Sequence, residues 1–177
     1  MCDNAAMATV LKLFWNLCLL RIGPESVPGR TWFVATAVLA DIALSTFVNT
    51  TVGDVGAAWA LGWAVIPLAT VGAVTWLALF LRGMAGRFPA TLAALAGTDF
   101  LLTVVPALLT PVAGIQAFVM VPLQIWLIVV WGFIFQHSFN TSLAFGILIA
   151  FGVSLVSTLV AGVAIGFPGL EQAGTAS

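Results

Sequence analysis

The sequence predicts an all-α fold: a polytopic transmembrane helical bundle of about five spans, with an amphipathic helix at the interface before the first. Three observations carry that prediction. Only 6% of the 177 residues are charged and 62% are hydrophobic, whereas a soluble domain needs roughly 25% charged residues to coat its surface. The apolar residues fall into runs of roughly 20 or more, each long enough to cross a ~30 Å hydrocarbon core at ~1.5 Å per helical residue. All but two of the few charges, with Gly-Pro and Gly-Asp turns, fall outside those runs.

Residues 1–30 form an N-terminal segment. Within it, residues 7–22 set Val10, Leu11, Leu13, Phe14, Leu17, Cys18 and Leu20 at near-helical spacing, interrupted by Lys12, Asn16 and Arg21. The stretch is too short and too charged to span, so it is expected to lie flat at the interface. Arg21, rather than a small-x-small cleavage site, follows its apolar run, and it therefore reads as retained and not as a cleaved signal. Gly23-Pro24 stops the helix, and Pro28-Gly29 continues the link.

The transmembrane domain is residues 31–166, with spans at 31–51, 57–81, 89–109, 114–136 and 142–165. Trp32, Trp59, Trp63 and Trp76 suit span ends, where an indole meets the headgroups. Gly53-Asp54-Val55-Gly56 turns the chain, residues 82–87 form a basic glycine-containing loop, and Pro89 fits the first turn of the next helix. Thr110-Pro111 closes the third span, and residues 137–141 form a polar turn after the fourth. Pro67, Pro106 and Pro122 lie inside spans, where neighbours can satisfy the freed carbonyls, and are expected as kinks. Residues 167–177 are a polar tail.

Basic residues set the orientation. Lys12, Arg21 and Arg30 precede the first span, and Arg82 and Arg87 lie between the second and third. With five spans all of them share one side, so the N-terminus is expected in the cytoplasm and the C-terminus outside, as in a multi-pass bacterial inner-membrane protein.

Composition excludes several chemistries. Five basic side chains make no phosphate-binding surface, which rules out nucleic acid as a partner. Cys2, Cys18 and the single His137 do not complete a metal site or a bis-histidine haem site, so no metal or cofactor is expected. Cys18 reads as a buried or interfacial free thiol. His137 is either an ordinary interfacial histidine or a pH-sensitive group. With one histidine, no Gly-x-Ser-x-Gly elbow and no phosphate or dinucleotide loop, no catalytic residue is assigned and an enzyme is not expected.

Two acids fall inside the spans. Asp41 and Asp99 each lie ten residues into a span that starts on the basic side, which puts both ~15 Å deep, near the midplane. An acid there costs at least ~2.5–3.5 kcal/mol and faces protein or water rather than lipid. Ser45 and Asn49 follow Asp41 at helical spacing, and Thr103 and Thr110 follow Asp99. Asp41, Asp99, Ser45, Thr103 and Asn49 are therefore the candidate polar site. Its functional reading is a carboxylate pair that binds a proton or cation; its structural reading is two protonated acids that tie helices together. Asp-x-x-x-Ser/Thr in the first and third spans, with Pro67 and Pro122 in the spans that follow, also fits a parallel internal repeat. Gly162-x-x-x-Gly166 and Ala58-x-x-x-Gly62 are the candidate helix-packing faces, within or between chains.

In layout the chain resembles the Yip-type family of small multispanning membrane proteins and its bacterial members. The likeness lies in the proline-containing link at residues 19–24, a two-span hairpin, the basic loop at 82–87, three closely spaced spans, and the stretch at 131–138 before the last helix. It covers roughly residues 15–165 and implies a non-enzymatic protein that works through partners. Two functional expectations result. The first is a non-catalytic accessory or organising subunit that binds other membrane chains or itself; the second is a proton- or cation-coupled transporter or channel component using Asp41 and Asp99.

Overall fold

Five long apolar helices follow one short one. The computed structural model of the chain describes residues 3–52, 55–109 and 115–167. The helices are α1 (Asp3–Cys18), α2 (Thr31–Val52), α3 (Ala57–Leu81), α4 (Phe88–Leu109), α5 (Ile115–Phe139) and α6 (Leu143–Ile165). Each of α2 to α6 has 22 to 25 residues and carries a window long and apolar enough to cross a membrane. No strand occurs among the described residues. The chain is an integral membrane protein built as a five-span helical bundle with a short amphipathic helix before it.

The spans alternate in direction and close into a ring in the order α2, α3, α6, α5, α4 and back to α2, with α3 also touching α4 across it. α4 is the most enclosed span, and Ala93, Ala94, Leu95, Ala96 and Thr98 are all fully buried. Its alanines and glycine let α1, α2 and α5 approach closely, which matters in lipid, where packing rather than water exclusion joins helices. α6 meets its neighbours through Gly146, Ala150, Val153, Ser157 and Ala161, a seam of mostly small side chains at helical spacing. At the α5–α6 crossing, a Cβ on Gly146 would run into the Gly132 carbonyl oxygen, and one on Gly132 would come within 2.8 Å of the Ile147 Cα.

α1 buries Phe14, Leu17 and Cys18 against α4, and exposes Lys12 and Trp15. The Phe14 ring lies over Gly97, where a Cβ would displace it, and stacks on Phe33 with centroids 6.0 Å apart. The helix starts at Asp3 and stops at Cys18, earlier at both ends than the 7–22 pattern suggests. Leu20 takes a positive φ of 59°, and the bonds Leu20 N to Leu17 O and Arg21 N to Asn16 O close a Schellman motif that satisfies the last carbonyls. Gly83 (φ 72°) and Asn140 (φ 53°) end α3 and α5 in the same left-handed region. Met84 N then bonds Leu79 O, and Thr141 N bonds Gln136 O.

One sequence expectation needs correcting. Residues 137–139 are not a turn, because α5 continues through His137 and Ser138 to Phe139. Tertiary partners hold that end. The Ser138 hydroxyl sits 2.8 Å from the Thr91 hydroxyl, Arg87 donates to the His137 and Ser138 carbonyls, and Arg82 donates to the Phe139 carbonyl. Two loop cations thus cap a helix C-terminus, where both their charge and their donors are favourable. At the other end of the bundle, Trp59 and Trp63 donate to the last carbonyls of α6, Ile165 O and Gly166 O.

Candidate functional site

Most hydroxyls in the spans are satisfied locally. Thr36, Thr50, Thr51, Thr70, Thr98 and Thr158 each donate to a carbonyl three or four residues earlier, the usual accommodation of a hydroxyl in a helix. Against that background the unpartnered polar atoms are informative. Asp41 is 2% exposed and Trp131 8% exposed, yet Asp41 Oδ1 and Trp131 Nε1 have no hydrogen-bond partner among the described residues. Both side chains line one small chamber.

That chamber, of about 80 Å³, is lined by Asp41 and Ser45 of α2, Trp63, Pro67 and Val71 of α3, Asp99 of α4 and Trp131 of α5. The packing of α2 beside α4 brings the acids together. Pro67 has no N–H for the Trp63 carbonyl, so that acceptor is released from the helical ladder beside the acids. A wider cleft of about 250 Å³ shares Ser45, Trp63 and Asp99 with the chamber and adds Asn49, Leu102, Thr103, Met120, Leu123 and Gln124. Asn49 and Thr103 lie toward the ends of α2 and α4 remote from the basic loops, so the cleft occupies that half of the bundle. Met120 and Gln124 at its rim are exposed.

Asp41, Ser45, Asn49, Asp99 and Thr103, singled out in the sequence, therefore line two adjoining cavities that share Ser45, Trp63 and Asp99; Thr110 lies outside the described residues. Among the described residues neither cavity has Lys, Arg or His in its lining, so none of these walls neutralises the two carboxyls. Sequence reasoning missed three contributors. Trp63 and Trp131 were not assigned to the site, since an indole in a span reads as an interfacial anchor. Gln124 carries the signal that identified the acids, a lone polar group well inside an apolar run.

Of the candidate packing residues, none lines the cleft or the chamber, although Gly166 bonds Trp63 of their walls. Gly62 of α3 faces Ile165 of α6, and Gly162 is covered by Phe167. Ala58 is exposed, and Gly166 ends α6 with its carbonyl bonded to Trp63. Gly62 and Gly166 thus join α3 to α6 within the chain. Among the described residues no group of three or more His, Cys, Asp or Glu side chains comes together to hold a metal. His137 lies near the basic end, its Nδ1 donating to Phe133 O at 3.1 Å. It shares a hollow of about 430 Å³ with Glu25, Arg87, Thr91 and Asn140.

Fold and cleft together define a class: a five-span integral membrane protein with an acid pair held inside the bundle. Comparison of the chain with family models, curated proteins and solved structures finds no match.

Proposed function

We propose that this protein is a non-enzymatic cation-binding membrane protein, a component of a proton- or cation-coupled transporter or channel. The observation that carries the proposal is the convergence of Asp41 and Asp99, from separate helices, on one chamber whose lining, among the described residues, holds no basic side chain. In so apolar a medium the charge of two neighbouring carboxyls must be balanced by protons or by a cation. Asn49 and Gln124 line the approach, Asp99 stands where cleft and chamber join, and Asp41 lies one step further in. This sequence of polar groups suits the stepwise passage of a proton or cation. In the proposed orientation the basic loops are cytoplasmic in a bacterial inner membrane, and the wide cleft faces the other side.

Proton flux into pyranine-loaded proteoliposomes under an imposed potential tests the proposal. Wild-type protein should acidify the lumen, and Asp41→Asn or Asp99→Asn should lower the rate to about a tenth or less, as expected for loss of an essential proton carrier. Equal rates in the wild type and both folded variants would overturn it.

A second proposal, the accessory or organising subunit, is favoured by one face of α6. Gly152 has open space beside it, between exposed Leu148, Phe151, Leu155 and Val156, and another helix could approach closely there. The Yip-type layout belongs with this proposal, since it implies action through partners. Purification in mild detergent, with wild type and Gly152→Leu compared for a co-purifying membrane chain, tests it; identical recovery from both would count against this face.

A further inference from the structure

Resting on the acid pair as the binding site, we propose that the cleft takes a protonated organic amine: a primary ammonium head attached to an apolar body of about one aromatic ring. The head is specified by its acceptors. Asp41 Oδ1 is buried and unpartnered among the described residues, and Asp41 lines the small chamber together with Ser45 and Asp99. An ammonium carries three donors and no acceptor, so it can use both carboxyls and the Ser45 hydroxyl at once. Its charge is the one the walls lack.

The body is specified by the wider space. Beyond Ser45 and Asp99 the cleft opens to about 250 Å³ between Trp63, Leu102, Met120 and Leu123, a mixture of aromatic and aliphatic surface that a hydrated metal ion or a proton would not need. The Trp63 N–H is already bonded to Gly166 O, so the indole has its ring, rather than its polar edge, to offer an organic cation. Asn49 and Gln124 at the approach can exchange hydrogen bonds with the head as it sheds water.

The probe is 2-phenylethylammonium, titrated calorimetrically into the full chain in detergent. Two comparators are 2-phenylethanol, which keeps the body without the charge, and methylammonium, which keeps the head without the body. Saturable binding of the amine is expected, with both comparators at least ~10-fold weaker. Asp99→Asn should weaken the amine by about 100-fold, the scale for removing one partner of a buried charge pair. Trp63→Leu should weaken it about tenfold through loss of the aromatic face. Asp99→Glu, which keeps the charge, should retain binding and separates charge loss from misfolding. Equal affinity for 2-phenylethanol, or undiminished binding in Asp99→Asn, would overturn the inference. If the amine fails to bind while aspartate-dependent proton flux persists, only the ligand class is wrong; if both fail, the cation-binding function falls with it.

Discussion

Gly146→Ala places one methyl group where α5 and α6 cross. The added Cβ would meet the Gly132 carbonyl oxygen and stand 3.0 Å from the Gln136 amide nitrogen. Both are backbone atoms of a helix, so no side chain can swing aside and the helices must separate. Overpacking of this kind costs ~1–3 kcal/mol, and a contact with backbone alone belongs at the upper end. Alanine returns ~1 kcal/mol of helix propensity over glycine. The net loss is about 2 kcal/mol, roughly a 30-fold rise in the unfolded fraction. Gly152 is the control on the same helix: a Cβ there meets nothing within 4 Å, so Gly152→Ala should be neutral or gain up to ~1 kcal/mol. Unfolding in mixed micelles can be followed by alkylation of buried Cys18, with Cys2→Ser leaving a single thiol. Equal or greater stability of Gly146→Ala would refute the close approach of α5 and α6.

Burial pushes the Cys18 thiol from 9.0 up to about 11, which predicts about 100-fold slower alkylation at pH 8 in the folded protein than in SDS, from thiolate fraction alone. Because the folded state holds this proton more tightly, its contribution to stability is complete below pH 9 and is lost as the pH rises through about 11; an unfolding midpoint that rises over that window would contradict it. Arg87→Ala removes the donor to the His137 and Ser138 carbonyls and should cost about 1 kcal/mol while fraying the end of α5, visible as faster amide exchange at residues 139–141; unchanged exchange would discount the cap. Asn49→Cys and Thr103→Cys, at the wide part of the cleft, should react with a membrane-impermeant thiol reagent from the side remote from the basic loops, whereas Leu95→Cys, fully buried in α4, should not. Equal protection at all three positions would close the cleft to water.

The spans are legible because lipid imposes a length and an apolar composition on every crossing helix. Their arrangement is not: with lipid as apolar as the protein interior, α2 to α6 are hydrophobic on nearly every side apart from the rows headed by Asp41 and Asp99, and no apolar stripe tells which neighbour each will choose. The closed ring and the meeting of Gly132 with Gly146 thus emerge only in three dimensions. The end of α5 was obscured for a related reason, since His137 and Ser138 look like turn residues until Thr91 and Arg87 arrive from elsewhere in the chain to bond them, and Arg82 to bond Phe139. Asp41, Asp99, Ser45, Asn49 and Thr103 were readable because a polar group deep in a span needs a reason to be there. Trp63 and Trp131 were not, because an indole carries the same letter whether it anchors a span at the headgroups or turns its ring toward an internal cleft.

The most direct test is the proximity of the two acids. In a chain with Cys2 and Cys18 replaced by serine, the pair Asp41→Cys and Asp99→Cys should be joined within one molecule by a short bifunctional methanethiosulfonate, because both side chains line the same chamber. The pair Asp41→Cys and Gly152→Cys should stay unlinked, as position 152 faces away from the bundle. Linkage of 41 to 152 but not to 99, in native membranes, would contradict the account.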